Sequence, residues 1–404
     1  MKLAAFLAAS AKTNPAIVLS VSYANAFGII HDLSAFGVPV LGLDPNPRAI
    51  GFHSRHAAGM VCPDPLRDEE AFLLFLEHLG TRLTHKAVLF PTHDEFVWPL
   101  SRHADRLSEH FIVPFSRWPV MERLHDKQEQ LRAAWRADVD TPKTVFVDSR
   151  ADLEKGIAEI GFPAIFKPTE SLAFKRRFRH HVLEIASADE LTAVYDDVSD
   201  CGTLMLQEVI PGGDEELWTL GSYLDSRSRP LALFTGHKLR QHPPRFGYCR
   251  MAVSTWDQEV ADAGLRLLQE LGYHGVSQVE FKRDPRDGRF CLMEINARHW
   301  MWHSLAAHSG VNLSLAAYRD AVGRPYIARR QTDGPRWSMA IDDAADAIGE
   351  IRRGDLNVWP WLASYKGVRV DGVLSLEDPL PGLTIFSRKI VRTAAGKVIR
   401  RFTA

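Results

Sequence analysis

Two rhythms of apolar and polar positions run along the chain. Short apolar runs bounded by turn formers read as buried strands, and apolar positions at helical spacing read as helices with one packed face. In the first third the rhythms alternate. Ala16–Ser22 reads as a strand, Asn25–Phe36 as a helix, Val38–Asp44 as a strand, Glu69–Leu79 as a helix and Ala87–Pro91 as a further strand. Strand–helix–strand order predicts a parallel, doubly wound sheet.

The middle of the chain changes character. A helix at Asp126–Ala137 stops before Pro142, and a strand follows at Thr144–Val147. A helix at Asp152–Ile160, a strand at Ala164–Lys167, a helix at Ala188–Val198 and a strand at Leu204–Ile210 complete a compact α+β block. Leu217–Leu224, Ala232–Lys238, Gly275–Arg283 and Phe290–Asn296 then predict a larger antiparallel sheet, with Asp257–Leu271 as its helix. Arg336–Arg353 reads as helical, with Trp359-Pro360-Trp361 placed to pack it on the core. The fold class is α/β plus α+β, divided at 1–122, 123–206, 207–328 and 329–404.

Length and composition agree with this division. At 404 residues the chain is too long for one simple core, and 46% apolar with 25% charged residues describes an ordinary globular protein. A formal net charge of −1 gives no overall attraction to nucleic acid. Cys62, Cys201, Cys249 and Cys291 are scattered without metal spacing, which points to reduced thiols and a cytoplasmic chain. Met1–Ala11 mimics a short signal peptide, but a predicted core strand begins almost at once after it. No run is long and apolar enough for a membrane-spanning helix.

The chemistry concentrates in Val279-Glu280-Phe281 and Met293-Glu294-Ile295-Asn296-Ala297-Arg298. Along a strand, alternate side chains share a face, so Glu294, Asn296 and Arg298 line up at spacings of roughly 7 Å. Two carboxylates, Glu280 and Glu294, with the amide oxygen of Asn296 suit a hard cation such as Mg²⁺ (or Mn²⁺). Arg298 beyond them can stabilise negative charge on a transferred group. Register sets a condition. A two-residue turn at Asp287-Gly288 would pair Glu294 with Phe281 and put Glu280 on the wrong face, so the site requires an odd-numbered loop or a bulge within Asp284–Gly288.

Other residues occupy costly or suggestive positions. Lys167 ends an apolar strand immediately before Pro168, an expensive place for an ammonium without an anion. Lys238 and Arg240 read as two cations on one strand face, and Asp126-Lys127 opens a helix. Gln207-Glu208-Val209-Ile210-Pro211-Gly212-Gly213 leads into the acidic turn Asp214-Glu215-Glu216.

From about Asn14 to about Tyr318 these motifs, in this order, resemble the ATP-grasp superfamily, which includes biotin carboxylase and D-alanine–D-alanine ligase. The resemblance is strongest to predicted ATP-dependent carboligases, a group also similar to D-aspartate ligase. It implies an ATP-grasp fold preceded by a Rossmann-like domain, with 123–206 as lid and 207–328 as the Mg-ATP core. The implied activity is ATP-dependent carboxylate–amine (or carboxylate–thiol) ligation through an acyl phosphate. Lys127, Lys167 and Lys238 would hold ATP phosphates. Gln207, Glu208, Val209 and Ile210 would form the adenine hinge, with Glu216 on the ribose. Glu280, Glu294 and Asn296 would bind one or two Mg²⁺ ions. Arg298 would stabilise the transition state, and Arg240 would hold the carboxylate to be activated. The implied partners are a small-molecule carboxylate and amine, with a homodimer compatible.

One segment departs from the pattern: the glycine-rich phosphate loop of many relatives is replaced by the basic, glycine-free Thr169–His181. That loop could also contact RNA, but one short patch in a neutral chain argues against a nucleic-acid partner. A dinucleotide reading of the first sheet would use Asp44 as ribose acid, yet the turn after the first strand lacks G-x-G-x-x-G. Other ATP-grasp chemistry, such as carboxylation through carboxyphosphate, and a non-catalytic ATP-binding sensor are the alternatives. His299, Trp300, Trp302 and His303 read as core packing ahead of an acceptor pocket. The basic stretch Ile385–Phe402 reads as a solvated tail, with peripheral contact to an anionic membrane as the alternative.

Overall fold

The structure is a computed structural model that describes residues 2–169, 182–199, 202–244 and 247–389. The basic loop at 170–181 and the tail from 390 onward therefore lie outside the described residues.

Strands β1 (Ala16–Leu19), β2 (Val40–Asp44), β3 (Ala57–Val61), β4 (Ala87–Pro91) and β5 (Phe111–Ile112) form a parallel sheet in the order β3-β2-β1-β4-β5. Continuous apolar runs suit strands covered on both faces. In β1, Ile17 and Leu19 enter one core while Ala16 and Val18 enter another. The first core takes in helix Glu69–Gly80 and also Phe6, fully buried on helix Leu3–Ser10 within the signal-like start. Strands β3 and β5 escape sequence reading because one is Ala-Ala-Gly-Met-Val and the other has two residues.

The next block is a smaller antiparallel sheet: β6 (Thr144–Val147), β7 (Ala164–Pro168), β8 (Leu183–Ile185) and β9 (Leu204–Glu208), ordered β6-β9-β7-β8. Its core is separate, built on Val145, Phe166 and Leu206 with Leu153 and Leu191 from two helices. Ser149 and Ser187 cap those helices by accepting from the backbone N–H of Asp152 and Glu190.

The third sheet comprises β10 (Leu217–Leu224), β11 (Pro230–His242), β12 (Tyr248–Ser254), β13 (Gly275–Arg283), β14 (Phe290–Asn296), β15 (Arg336–Ser338) and β16 (Val368–Asp371). Its order is β14-β13-β10-β11-β12-β15-β16. The helix expected over Arg336–Arg353 is thus a strand at first. Trp337 is fully buried and pairs with Ala252, and the helix runs only from Ala340 to Arg353. This sheet shares both cores of the parallel sheet, through Leu220 and Phe281 in one and Tyr223 and Phe234 in the other. Among the described residues, no helix is long and apolar enough to cross a membrane.

Candidate active site

Strand β14 lies at the edge of the large sheet and pairs antiparallel with β13. Glu280 stands directly opposite Glu294, and Gln278 opposite Asn296. Since cross-strand partners share a face, both carboxylates and the carboxamide point the same way. Parity is reached by a route other than the one the sequence suggested. The connection Asp284–Arg289 has an even number of residues, and the bulge lies inside the strands: Phe281 pairs with Leu292, which leaves Met293 as the extra residue. The bulge expected in Asp284–Gly288 is therefore placed at Met293.

Helix Lys127–Arg136, capped by Asp126, lies against β14, and buried Gln130 ties the two by accepting from the Ile295 backbone N–H at 3.0 Å. Lys127, at the first position of that helix, reaches Glu294 Oε1 at 3.5 Å. On the other side Lys238 of β11 lies 3.3 Å from Glu280 Oε1. Burial works against the Lys238 ammonium, but Glu280, together with Cys249 and Asp214, raises its pKa overall. Lys167, at the end of β7, donates to Gln207 Oε1 at 3.0 Å. Burial, then the like charge of Lys127, pushes Lys167 down to about 7 against the pull of Glu294. Lys127, Lys167, Lys238, Glu280 and Glu294 thus form one patch of alternating charge.

Arg298 closes the patch on the side of the parallel sheet. Its guanidinium donates to Asp94, which opens the helix after β4, at 2.7 Å, and to Asn296 Oδ1 at 3.1 Å. Burial opposes its charge, but Asp94, with Glu294 and Glu280 further off, raises its pKa. The site therefore sits where the carboxyl end of the parallel sheet meets the edge of the antiparallel one.

Other candidates are placed differently. Register shifts on both sides of Arg240, so simple alternation does not carry over from Lys238. The Arg240 guanidinium grips both oxygens of buried Asp343 at 3.0 and 2.9 Å and donates to Ser364 Oγ. The expectation that it faces a second anion beside Lys238 is corrected: it ties helix Ala340–Arg353 to β11. Gln207 lies within the ladder between β6 and β7, and its side chain also donates to Thr144. The Glu208 backbone N–H donates to the Lys143 carbonyl, and its carboxylate takes Arg286 at 2.6 Å. Val209 and Ile210 lie past the end of the strand. Glu216 accepts from Arg283 at 2.7 Å, and a Cβ on Gly212, at φ +97°, would stand 2.8 Å from the Glu216 Cγ. Asp44 is buried and accepts from the Asn46 N–H. His299, Trp300, Trp302 and His303 are buried, as core packing requires.

Sequence reading missed Gln278 and Asp94. Gln278 donates to Glu280 Oε1 at 2.9 Å and accepts from Asn296 at 3.3 Å, fixing the two relative to each other. Its position two residues before Glu280 on the same strand face was the available signal. Asp94 carries no local pattern, because its partner is far away in the chain.

A parallel sheet, a small antiparallel sheet and a larger one whose edge strand carries this charge patch make up the ATP-grasp fold, and the chain resembles ATP-grasp carboxylate–amine ligases. Residues 253–327 match the family model described as carbamoyl-phosphate synthase L chain, ATP binding domain. The chain is similar to D-aspartate ligase of Enterococcus faecium, 25% identical over 297 residues that span 69% of this chain and 70% of that enzyme. In structure it is similar to N5-carboxyaminoimidazole synthetase of Staphylococcus aureus complexed with ADP, with a TM-score of 0.64, 13% identity and coverage of 85% and 87% of the two chains. It is also similar to the biotin carboxylase domain of Hydrogenobacter thermophilus 2-oxoglutarate carboxylase in complex with MgADP and bicarbonate. There the TM-score is 0.61, with 16% identity and coverage of 79% and 72%.

Proposed function

We propose that this protein is an ATP-dependent carboxylate–amine ligase that works with Mg²⁺. The observation that carries this reading is the alternating patch, in which Glu294 faces Lys127 and Glu280 faces Lys238. A magnesium polyphosphate is itself an alternation of charge. It can exchange each internal pair for an opposite partner, with lysines turning to phosphate oxygens and glutamates to the cation. The donor set fits the ion: carboxylate and carboxamide oxygens on one strand face, with Gln278 holding Glu280 and Asn296 in place.

In the reaction, a carboxylate oxygen attacks the γ-phosphorus of ATP, ADP leaves, and an acyl phosphate forms. An amine then attacks the acyl carbon, loses a proton, and expels inorganic phosphate. Bound Mg²⁺ would neutralise charge on the β- and γ-phosphates. Glu280, Glu294 and Asn296 would hold that ion, and Lys127, Lys167 and Lys238 would orient the phosphates. Arg298, fixed by Asp94 at the mouth of the parallel sheet, would stabilise charge on the transferred phosphoryl group. Val209 and Ile210 would flank the adenine. Glu216 would turn from Arg283 to the ribose, and the small sheet would close over the nucleotide.

The similarity to D-aspartate ligase makes amino acids the first substrates to try. ADP release is screened over pairs of carboxylates and amines with wild type and Glu294→Ala. Release that requires both partners and is lost in the variant supports the ligase. Saturable ATP binding without turnover on any pair, equal in the two proteins, would favour a sensor.

A further inference from the structure

A second cluster lies apart from the charge patch. It joins His31 on helix Ala24–Ser34, His56 just before β3, and Asp378 at the head of the segment that forms helix 379–389. One ligand-capable atom from each lies within 4.8 Å of the others. His31 Nε2 is 3.2 Å from Asp378 Oδ2, and the two imidazole rings are 5.2 Å apart at 72°. Asp378 is almost fully buried. Its other oxygen accepts from the Arg55 backbone N–H at 3.1 Å, and Ser54 Oγ donates to the carboxylate as well. Phe27 meets the His31 ring edge-on and restricts it.

We propose that His31, His56 and Asp378 form a binding site for a divalent transition metal of the zinc type, which fastens the C-terminal segment to the parallel sheet. Two imidazoles and one carboxylate, with a side left for water, are a ligand set that zinc accepts. It is nitrogen-rich where the nucleotide site is all oxygen, so the two sites select different ions. Zinc ligands in a tetrahedron stand roughly 3.3 Å apart, given bonds of about 2.0 Å. His31 and Asp378 already meet that spacing, and half-buried His56 need close its gaps, none above 4.8 Å, by no more than about 1.5 Å, within reach of a side-chain rotation. The contacts from Ser54 and Arg55 are the outer-shell hydrogen bonds that orient a metal-binding carboxylate. Arg55 Nε lies 3.4 Å from His56 Nε2, so that nitrogen changes partner on binding or Nδ1 becomes the ligand.

The test uses untagged full-length protein, stripped with chelator and titrated with Co²⁺ in the absence of nucleotide. One equivalent is expected, with visible absorption of low-symmetry Co²⁺ and a melting temperature that climbs with metal concentration. His31→Gln/His56→Gln should weaken binding by more than about tenfold, the lower bound for loss of even an outer-shell partner. In wild type, metal should protect His31 and His56 from acylation of the imidazole, read by peptide mass mapping. Equal affinity in wild type and variant, or no protection of the two histidines, would overturn the proposal.

Discussion

Glu294 is the residue on which the nucleotide site turns. It is 43% exposed and, among the described residues, its ion pair is with Lys127, so changing it should cost little stability. Glu294→Gln is expected to lower the rate of ATP turnover by roughly 10²–10³-fold, the scale for losing one preorganised charge contact, with an unchanged melting temperature. Turnover within a few-fold of wild type would remove Glu294 from the site. Lys167 carries a pH signature. Its pKa of about 7 in the free protein lies below the ordinary lysine value, so it is largely neutral at pH 8. A polyphosphate beside it favours the ammonium, and nucleotide binding at pH 8 should therefore take up a proton. Calorimetry in buffers of different ionisation enthalpy reads this directly; buffer-independent heats would contradict it. The same shift has a stability sign. Between about pH 7 and pH 10 the unfolded chain binds the additional proton, so this residue's contribution to stability rises with pH. Burial and charge of this kind were partly legible in the sequence, since Lys167 stands before Pro168 at the end of an apolar strand. Asp94 was not, because its link to Arg298 exists only after the two sheets meet.

Strands β10, β13 and β14 were legible to their ends because each is an uninterrupted apolar or alternating run closed by turn residues. Their register was not, because a bulge leaves no composition signal: Met293 is an ordinary strand residue by type. The same limit explains Arg240, whose spacing from Lys238 implied a shared face until register shifts intervened. Helix Lys127–Arg136 depends on β14 through Gln130, a link that joins residues far apart in sequence. Gln130→Leu leaves the buried Ile295 N–H without a partner and should cost about 1–3 kcal/mol in urea denaturation. It should also raise the KM for ATP, because Lys127 rides on the freed helix. Lost stability with unchanged KM would separate that helix from the nucleotide site.

At the scale of the molecule, the C-terminal segment is bound into the fold, although in sequence it offered little beyond a helical pattern and a Trp-Pro-Trp. It adds β15 and β16 to the large sheet and sets Asp343 against Arg240, Trp361 and Tyr365. Arg240→Ala leaves the buried Asp343 carboxylate without its ion partner. The variant should lose about 3–5 kcal/mol of stability, measured by denaturant unfolding, while turnover at low temperature survives. Collapse of turnover with stability intact would return Arg240 to substrate binding, as its place in the sequence suggested. Fold class was readable throughout, because the change from alternating strand and helix to antiparallel runs marks the passage from one kind of sheet to another.

The central claim is that the charge patch transfers phosphate from ATP to a carboxylate. It is tested most directly with a carboxylate labelled with heavy oxygen, in the first substrate pair that releases ADP. If an acyl phosphate forms, one labelled oxygen passes from the carboxylate to inorganic phosphate in every turnover. Phosphate that carries only oxygen from water, with the label retained in full on the organic substrate or product, would contradict the account.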